Sequence, residues 1–304
     1  MIQASILFAK QILGLSGFKA GAIPRWAFTT LLTAFGEMLK QEIVILEPLL
    51  KLAKRSGKGI LVIDDTTNPK YGLKEWTRKL KIVGTSGYEH GYKILLFLWE
   101  CPLGRIPIAF ALWHKETRPL NDLALTGLSL LRNKYTLKPE AVLADGAFST
   151  DKLLKRLEGY NWATVMRCKR DRKFGGKRLD KAIARGYGSL QDRLKNGVKV
   201  KIFRRKSRFF VCNKMTWDMQ KAVSLYKRRW KIEETFRALK TCLPLNGCQQ
   251  HSMQAQVLYL FMAFLLFANL EIVSGTSVYK TAQAIISGEI ELETILDKRI
   301  FKPC

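Results

Sequence analysis

Three places in this 304-residue chain carry side chains whose type and spacing could do chemistry. An apolar run, Ile60-Leu61-Val62-Ile63, stops abruptly at Asp64-Asp65-Thr66, and a second, Ala141-Val142-Leu143-Ala144, stops at Asp145-Gly146. Each reads as a buried strand with polar groups at its C-terminal end. Ligands of open α/β sheets gather at that end. If the two strands are neighbours, Asp64 or Asp65 meets Asp145 at one edge, and carboxylates that close repel unless a cation lies between them. Oxygen-only ligands favour Mg²⁺, with a substrate phosphate completing the shell.

The third place is the segment from Ser224 to Leu243, whose pattern predicts one helix. At about 100° per residue, Tyr226, Arg229, Glu233, Arg237 and Lys240 share an arc of roughly 80°. Leu225, Ile232, Phe236, Leu239 and Leu243 fall directly beside that stripe, so Glu233 sits where core meets cleft. Glu234 turns away and is expected to be solvated. A salt-bridged surface helix, with Glu233 paired to Arg229 and Arg237, explains the stripe equally well when the helix is taken alone. Trp230 is a candidate for stacking on a base.

The elements that must position these groups follow from pattern. Trp26 to Lys54 is helix-like with Pro48 as a break. Tyr92–Glu100 and Arg105–Trp113 flank Pro102-Leu103-Gly104, which predicts a hairpin. Asn121 is expected to cap a helix running through Leu123–Lys134. After the Ala141–Ala144 strand come a helix from Asp151 to Leu157 and a strand from Trp162 to Arg167. A long hairpin followed by crossovers predicts a mixed α/β sheet. From about Cys168 to Met215, Gly, Lys and Arg dominate and only short strands are expected.

Composition narrows the function. Lys and Arg number 52 against 25 Asp and Glu, a formal net charge of +27, while 47% hydrophobic residues match a globular chain. Residues 151–240 alone hold 28 basic against 8 acidic residues, a net +20. Charge of that density needs a polyanionic partner, and nucleic acid is the common one. A small-metabolite enzyme has little use for such a field. Six scattered cysteines form no disulfide framework, which points to reduced thiols in the cytoplasm. The N-terminal residues make a poor signal peptide. Gln256–Val273 nearly reaches the length of a membrane span, but Asn269 and Glu271 interrupt it, so a buried core helix and no membrane partner are expected. Cys242, Cys248 and His251 lack a fourth zinc ligand. His90 and His114 read as structural, and Gly175-Gly176-Lys177 as a turn.

Together these residues resemble the DDE insertion-sequence transposases of the IS-four type. Tyr226-x2-Arg229-x3-Glu233-x6-Lys240 matches that family's YREK signature, and Trp230-Lys231-Ile232-Glu233 resembles the surrounding text. Asp145-Gly146-Ala147-Phe148 is similar to its second-aspartate motif, and Asp64-Asp65-Thr66 to its first. The resemblance runs from about Ile60 to Leu270. It implies an RNase H-like mixed sheet flanked by helices, with a β-rich insertion before the final catalytic helix. The implied layout is a short helical segment over 1–57, a catalytic domain over 58–275 with its insertion about 168–215, and a helical tail over 276–304.

The resemblance further implies that Asp64, with Asp65 as the fallback, joins Asp145 and Glu233 in holding two Mg²⁺ ions, with Mn²⁺ as a substitute. Tyr226, Arg229 and Lys240 are then DNA-binding, with Arg237 and Trp230 beside them. The implied reaction is hydrolytic release of an element and strand transfer into target DNA, without a covalent enzyme–DNA intermediate. A homodimer on paired inverted-repeat ends, in a prokaryotic cytoplasm and associated with the nucleoid, is expected. End recognition is expected in the helical leader, the basic insertion or a partner. Two competing readings are an inactive DNA-binding derivative and a metal-dependent nuclease without strand transfer.

Overall fold

The computed structural model describes residues 2–13, 15, 25–70, 72–82, 85–174, 176–183, 186–274 and 277–296. In chain order the elements are α1 (Ile2–Ile12), α2 (Arg25–Leu39), β1 (Val44–Ile45), α3 (Glu47–Arg55), β2 (Ile60–Pro69), β3 (Arg78–Lys81), β4 (Tyr88–Cys101) and β5 (Gly104–Trp113). There follow α4 (Leu120–Asn133), β6 (Ala141–Ala144), α5 (Asp151–Gly159), β7 (Thr164–Cys168), β8 (Lys173–Phe174), β9 (Lys177–Arg178), α6 (Leu179–Ala182), β10 (Gly186–Arg193), β11 (Lys199–Lys206) and β12 (Arg208–Cys212). The chain continues through α7 (Met219–Lys227), α8 (Trp230–Thr241), α9 (Met253–Ser274), α10 (Val278–Ile286) and α11 (Leu292–Ile295). This is the mixed α/β architecture expected, but the basic insertion is not made of short strands alone: β10 and β11 are eight residues each, because they pair along their full length.

Contacts divide the chain into two compact units. One comprises Met1–Gly57, Asp65–Pro119 and Glu233–Cys304; the other comprises Lys58–Asp64 and Leu120–Ile232. β2 therefore belongs to the second unit through Asp64 and to the first from Asp65.

The first unit is antiparallel, in the order β1-β5-β4 with β3 on β4 and the end of β2 alongside. The hairpin β4–β5 forms as predicted, with Gly104 at a φ of +118° in its turn. Helix α9 packs on β5, Phe264 meeting Phe110 at 5.0 Å between ring centroids. Helices α1 and α2 close over α9 through Phe8–Tyr259 and Phe35–Phe261 pairs. The apolar Met253–Val273 stretch is 83% buried, so its length serves the core. Two local expectations fail. Glu42 to Leu46 is not helical, because Val44 and Ile45 pair with Phe110 and Ala109 on β5. Pro48 therefore stands in the first turn of α3, where its missing N–H costs nothing.

The second unit has the order β2-β6-β7-β12-β11-β10. β2, β6 and β7 run parallel, and β12, β11 and β10 continue antiparallel. The residues Ile60–Ile63 and Ala141–Ala144 are buried throughout, as strands covered on both faces must be. Asn121 lies inside α4, so it cannot cap it. Its amide donates to the Ala147 carbonyl at 3.2 Å, tying α4 to the loop that follows Asp145.

Candidate active site

Parallel pairing sets the two aspartates level. Ile60, Leu61, Val62 and Ile63 register with Ala141, Val142, Leu143 and Ala144, so Asp64 and Asp145 are the next residues of adjacent strands. Strands lie about 4.8 Å apart; Asp145 follows the last residue of β6, whereas Asp64 lies inside β2, which does not stop there as the apolar run suggested but continues to Pro69. The sequence stated this condition without meeting it; the register meets it.

Each carboxylate is already engaged. Asp64 Oδ2 accepts from Arg229 Nη1 at 2.6 Å, both side chains being largely buried. Asp145 Oδ1 accepts from the N–H of Gly146. Asp65, one residue on and facing the other way, pairs with Lys93 Nζ on β4 at 2.8 Å within the first unit. The neighbouring aspartates thus have different cationic partners in different units. Lys93 was not singled out from sequence, although a lone lysine opening the apolar run Ile94–Trp99 is the signal that could have found it.

Arg229 reaches Asp64 from a join between helices. Asp218 caps α7 by accepting from the Lys221 N–H at 2.7 Å. After Lys227 the chain tightens: the N–H groups of Arg228, Arg229, Lys231 and Ile232 bond to the carbonyls three residues back, at 3.0–3.1 Å. The single helix predicted over Ser224–Leu243 is therefore two, α7 and α8. Each three-residue bond winds the chain about 20° further than α-helix does, so the uniform arc computed from Tyr226 does not carry across Arg228.

Tyr226 packs its ring edge-on to Phe210 at 5.1 Å, with the Arg229 guanidinium 5.6 Å from its own ring centroid. Its hydroxyl oxygen is shielded from solvent and makes no hydrogen bond by distance and angle among the described residues. Burial pushes the phenol up to about 12; the Arg229 charge draws it back and the Asp145 charge adds to the rise. Beside Asp145, a cavity of about 360 Å³ is lined by Gly146, Ala147, Ser149, Thr150, Lys169 and Arg172, among others. Arg172 braces that loop through the Ser149 carbonyl and hydroxyl and the Asp151 carboxylate. It too was missed, being one cation among many in the basic segment.

The remaining predicted residues lie on α8. Trp230 is 50% exposed, open enough to stack on a base. Glu233 opens the first unit and is partly exposed, while Ile232, Phe236 and Leu239 are buried as the pattern predicted. Arg237 and Lys240 reach solvent. Crowding around the Lys240 stem lowers its pKa, an effect that Glu89 opposes. Glu234 is a correction: it is not simply solvated but lies 3.5 Å from Arg105 Nη1. Arg105 also grips Glu271 in a fork, with both bonds at 2.6 Å. The apolar pattern of one helix holds no record of that distant arginine.

Among the described residues no group of three or more His, Cys, Asp or Glu stands ready as a metal site. The donors that the second unit does bring together, Asp64 and Asp145, offer oxygen only and sit level. That set suits a hard divalent cation, and Arg229 shows that the Asp64 carboxylate takes a cation.

Three parallel strands with level aspartates, continued by a basic antiparallel extension, make a mixed α/β sheet with an acidic site. Residues 55–268 match the Transposase DDE domain, and the chain belongs to that family. It is a DNA transposase: DNA is its partner, and cleavage and strand transfer with a divalent metal are its family's chemistry. The fold is similar to a cryo-EM structure of the piggyBac transposase synaptic complex with hairpin DNA, at a TM-score of 0.54 and 13% identity. That match covers 98% of this chain and 73% of the other, and the shared architecture is consistent with an RNase H-like core. No curated protein matches the chain.

Proposed function

We propose that this chain is an insertion-sequence transposase of the IS-four type, with Asp64, Asp145 and Glu233 as its catalytic carboxylates. The observation that carries the reading is the equal register of Asp64 and Asp145 on adjacent parallel strands. Glu233 enters by its spacing, four residues beyond Arg229 in the YREK pattern that ends at Lys240. Both aspartates are paired, Asp64 with Arg229 and Asp65 with Lys93; Asp64 is preferred because it is the one level with Asp145, while Asp65 faces the other way.

By the resemblance, Asp64, Asp145 and Glu233 would hold two Mg²⁺ ions. When bound, the metal supplies activation of the attacking oxygen and stabilisation of the leaving oxygen in an in-line displacement. Arg229, released from Asp64, and Lys240 grip phosphates at the cleaved end, and the Tyr226 phenol, held protonated by burial, donates a hydrogen bond there. Arg237 adds charge and Trp230 stacks on a base. The element is released hydrolytically and its 3′ ends are joined to target DNA by a homodimer on paired inverted repeats. The setting is a prokaryotic cytoplasm, on the nucleoid.

The test is cleavage and joining of a labelled duplex carrying the element's terminal sequence, with Mg²⁺, comparing wild type with Asp145→Asn. The expected outcome is 3′-OH release and joining by wild type only, with DNA affinity kept in the variant. Binding without cleavage by wild type, in Mg²⁺ or Mn²⁺, overturns the reading in favour of an inactive DNA-binding derivative.

A further inference from the structure

We infer that one face of the antiparallel extension, carrying Arg193, Lys199, Arg205 and Arg208 with Lys227 of α7, docks the phosphate backbone of duplex DNA without regard to sequence. The strand register is the first observation. Arg205 stands directly opposite Arg208, and Arg193 directly opposite Lys199. Like charges directly across a ladder destabilise it. Two such pairs in one three-stranded ribbon are a defect unless something outside the chain neutralises them.

Alternation puts both pairs on the same face. Lys199, Lys201, Phe203 and Arg205 point one way along β11, with Phe210 and Arg208 opposite on β12. Arg193, Lys199, Arg205, Arg208 and Lys227 are exposed. Among the described residues none of Lys199, Arg205, Arg208 and Lys227 has an ion-pair partner, and the Arg193 guanidinium donates to the Gly197 carbonyl, at 3.2 Å, rather than to a carboxylate. The fold thus leaves five cations without a carboxylate partner, in two groups at opposite ends of one face.

Shape agrees with charge. Helix α7 lies over part of this face, as the Tyr226–Phe210 ring contact shows. Between α7 and Arg205 runs a cavity of about 460 Å³ lined by Met219, Gln220, Val223, Ser224 and Lys227. From Lys199 to Arg205 is six residues, about 20 Å of strand. Between them Lys201 donates to the Met215 and Trp217 carbonyls and Phe203 is buried, so the free cations stand at the two ends, an interval of about six phosphates along one DNA strand at about 3.4 Å of axial rise each. Phe203 and Phe210 are buried, so this face offers unstacked bases no platform. Duplex backbone is the partner that fits. The inference concerns DNA contact away from the carboxylates, and it stands or falls separately from the roles of Asp64, Asp145 and Glu233.

The experiment uses the full chain in chelator, so that no cleavage intervenes. Arg205→Ala/Arg208→Ala is compared with wild type by fluorescence anisotropy on a random-sequence duplex and on a duplex of the element's terminal sequence, across a salt series. The slope of log affinity against log salt is expected to fall by about 2 on both duplexes. The thermal midpoint is expected to hold or rise, because a repulsive pair has been removed. Arg193→Ala/Lys199→Ala, at the other end of the face, is expected to behave alike and guards against misfolding of one variant. Unchanged slopes in both variants overturn the inference. So does a loss confined to the terminal-sequence duplex, which would make the face a sequence reader.

Discussion

Two hairpins, one in each unit, treat an arginine beside the turn in opposite ways. In the β4–β5 hairpin Arg105 stands across the ladder from Glu100 and is clasped by Glu271 and approached by Glu234. Burial lowers its proton affinity while these carboxylates more than restore it, so the guanidinium stays charged. Its turn uses Gly104, at a φ of +118°, where a Cβ would come within 2.9 Å of Glu271 Cγ. In the β11–β12 hairpin Arg205 stands across from Arg208, and the turn uses Lys206, at a φ of +55°, where most side chains are strained. The first hairpin neutralises its own charge and spends glycine to do so. The second does neither. A cation that the fold has satisfied holds the fold; a cation that the fold has left unsatisfied is held for a ligand.

The largest effect that could break this comparison is at Arg105. Arg105→Met strands Glu271, and losing one partner of a buried pair costs about 3–5 kcal/mol. Thermal unfolding should shift down by several degrees with DNA affinity in the intact fold unchanged; an unshifted midpoint would remove the contrast between the hairpins. A middle effect concerns Tyr226. Its pKa is raised from an ordinary 10 to about 12, so its share of stability is complete below pH 10 and is lost as pH rises through about 12. Absorbance titration should show one phenol ionising near 12 that disappears in Tyr226→Phe, alongside Tyr92 and Tyr259, which burial also pushes up. The smallest effect sharpens the contrast. Arg205→Glu converts a repulsive cross-strand pair into an attractive one and should gain up to about 1 kcal/mol by denaturant unfolding, while duplex affinity falls. A loss of stability there would show that Arg205 serves the fold after all.

Much of this was legible beforehand because it is local. Ile60–Ile63 and Ala141–Ala144 announce buried strands by unbroken apolar runs; the aspartate after the second marks its end, while the one after the first does not, since β2 continues to Pro69. The Pro102-Leu103-Gly104 turn predicts its hairpin for the same reason. Local pattern also misled where a distant partner decided the outcome. Val44 and Ile45 sit in a helix-like stretch, yet β5 recruits them as a strand. Glu234 points away from its own helix's apolar face, yet Arg105 claims it.

Sequence alone determined the charge, the carboxylates that follow two apolar runs, the spacing of Tyr226, Arg229, Glu233 and Lys240, and through them the transposase class. These depend only on residue identity and on periods of two and 3.6 residues. The tertiary structure decided that β2 lies beside β6, that Asp64 faces Arg229 while Asp65 faces Lys93, and that Arg205 is set against Arg208. Asp64 and Arg229 are 165 positions apart. No short-range preference connects residues so far apart; their meeting is fixed by the burial of apolar strands between them, which only the folded chain completes.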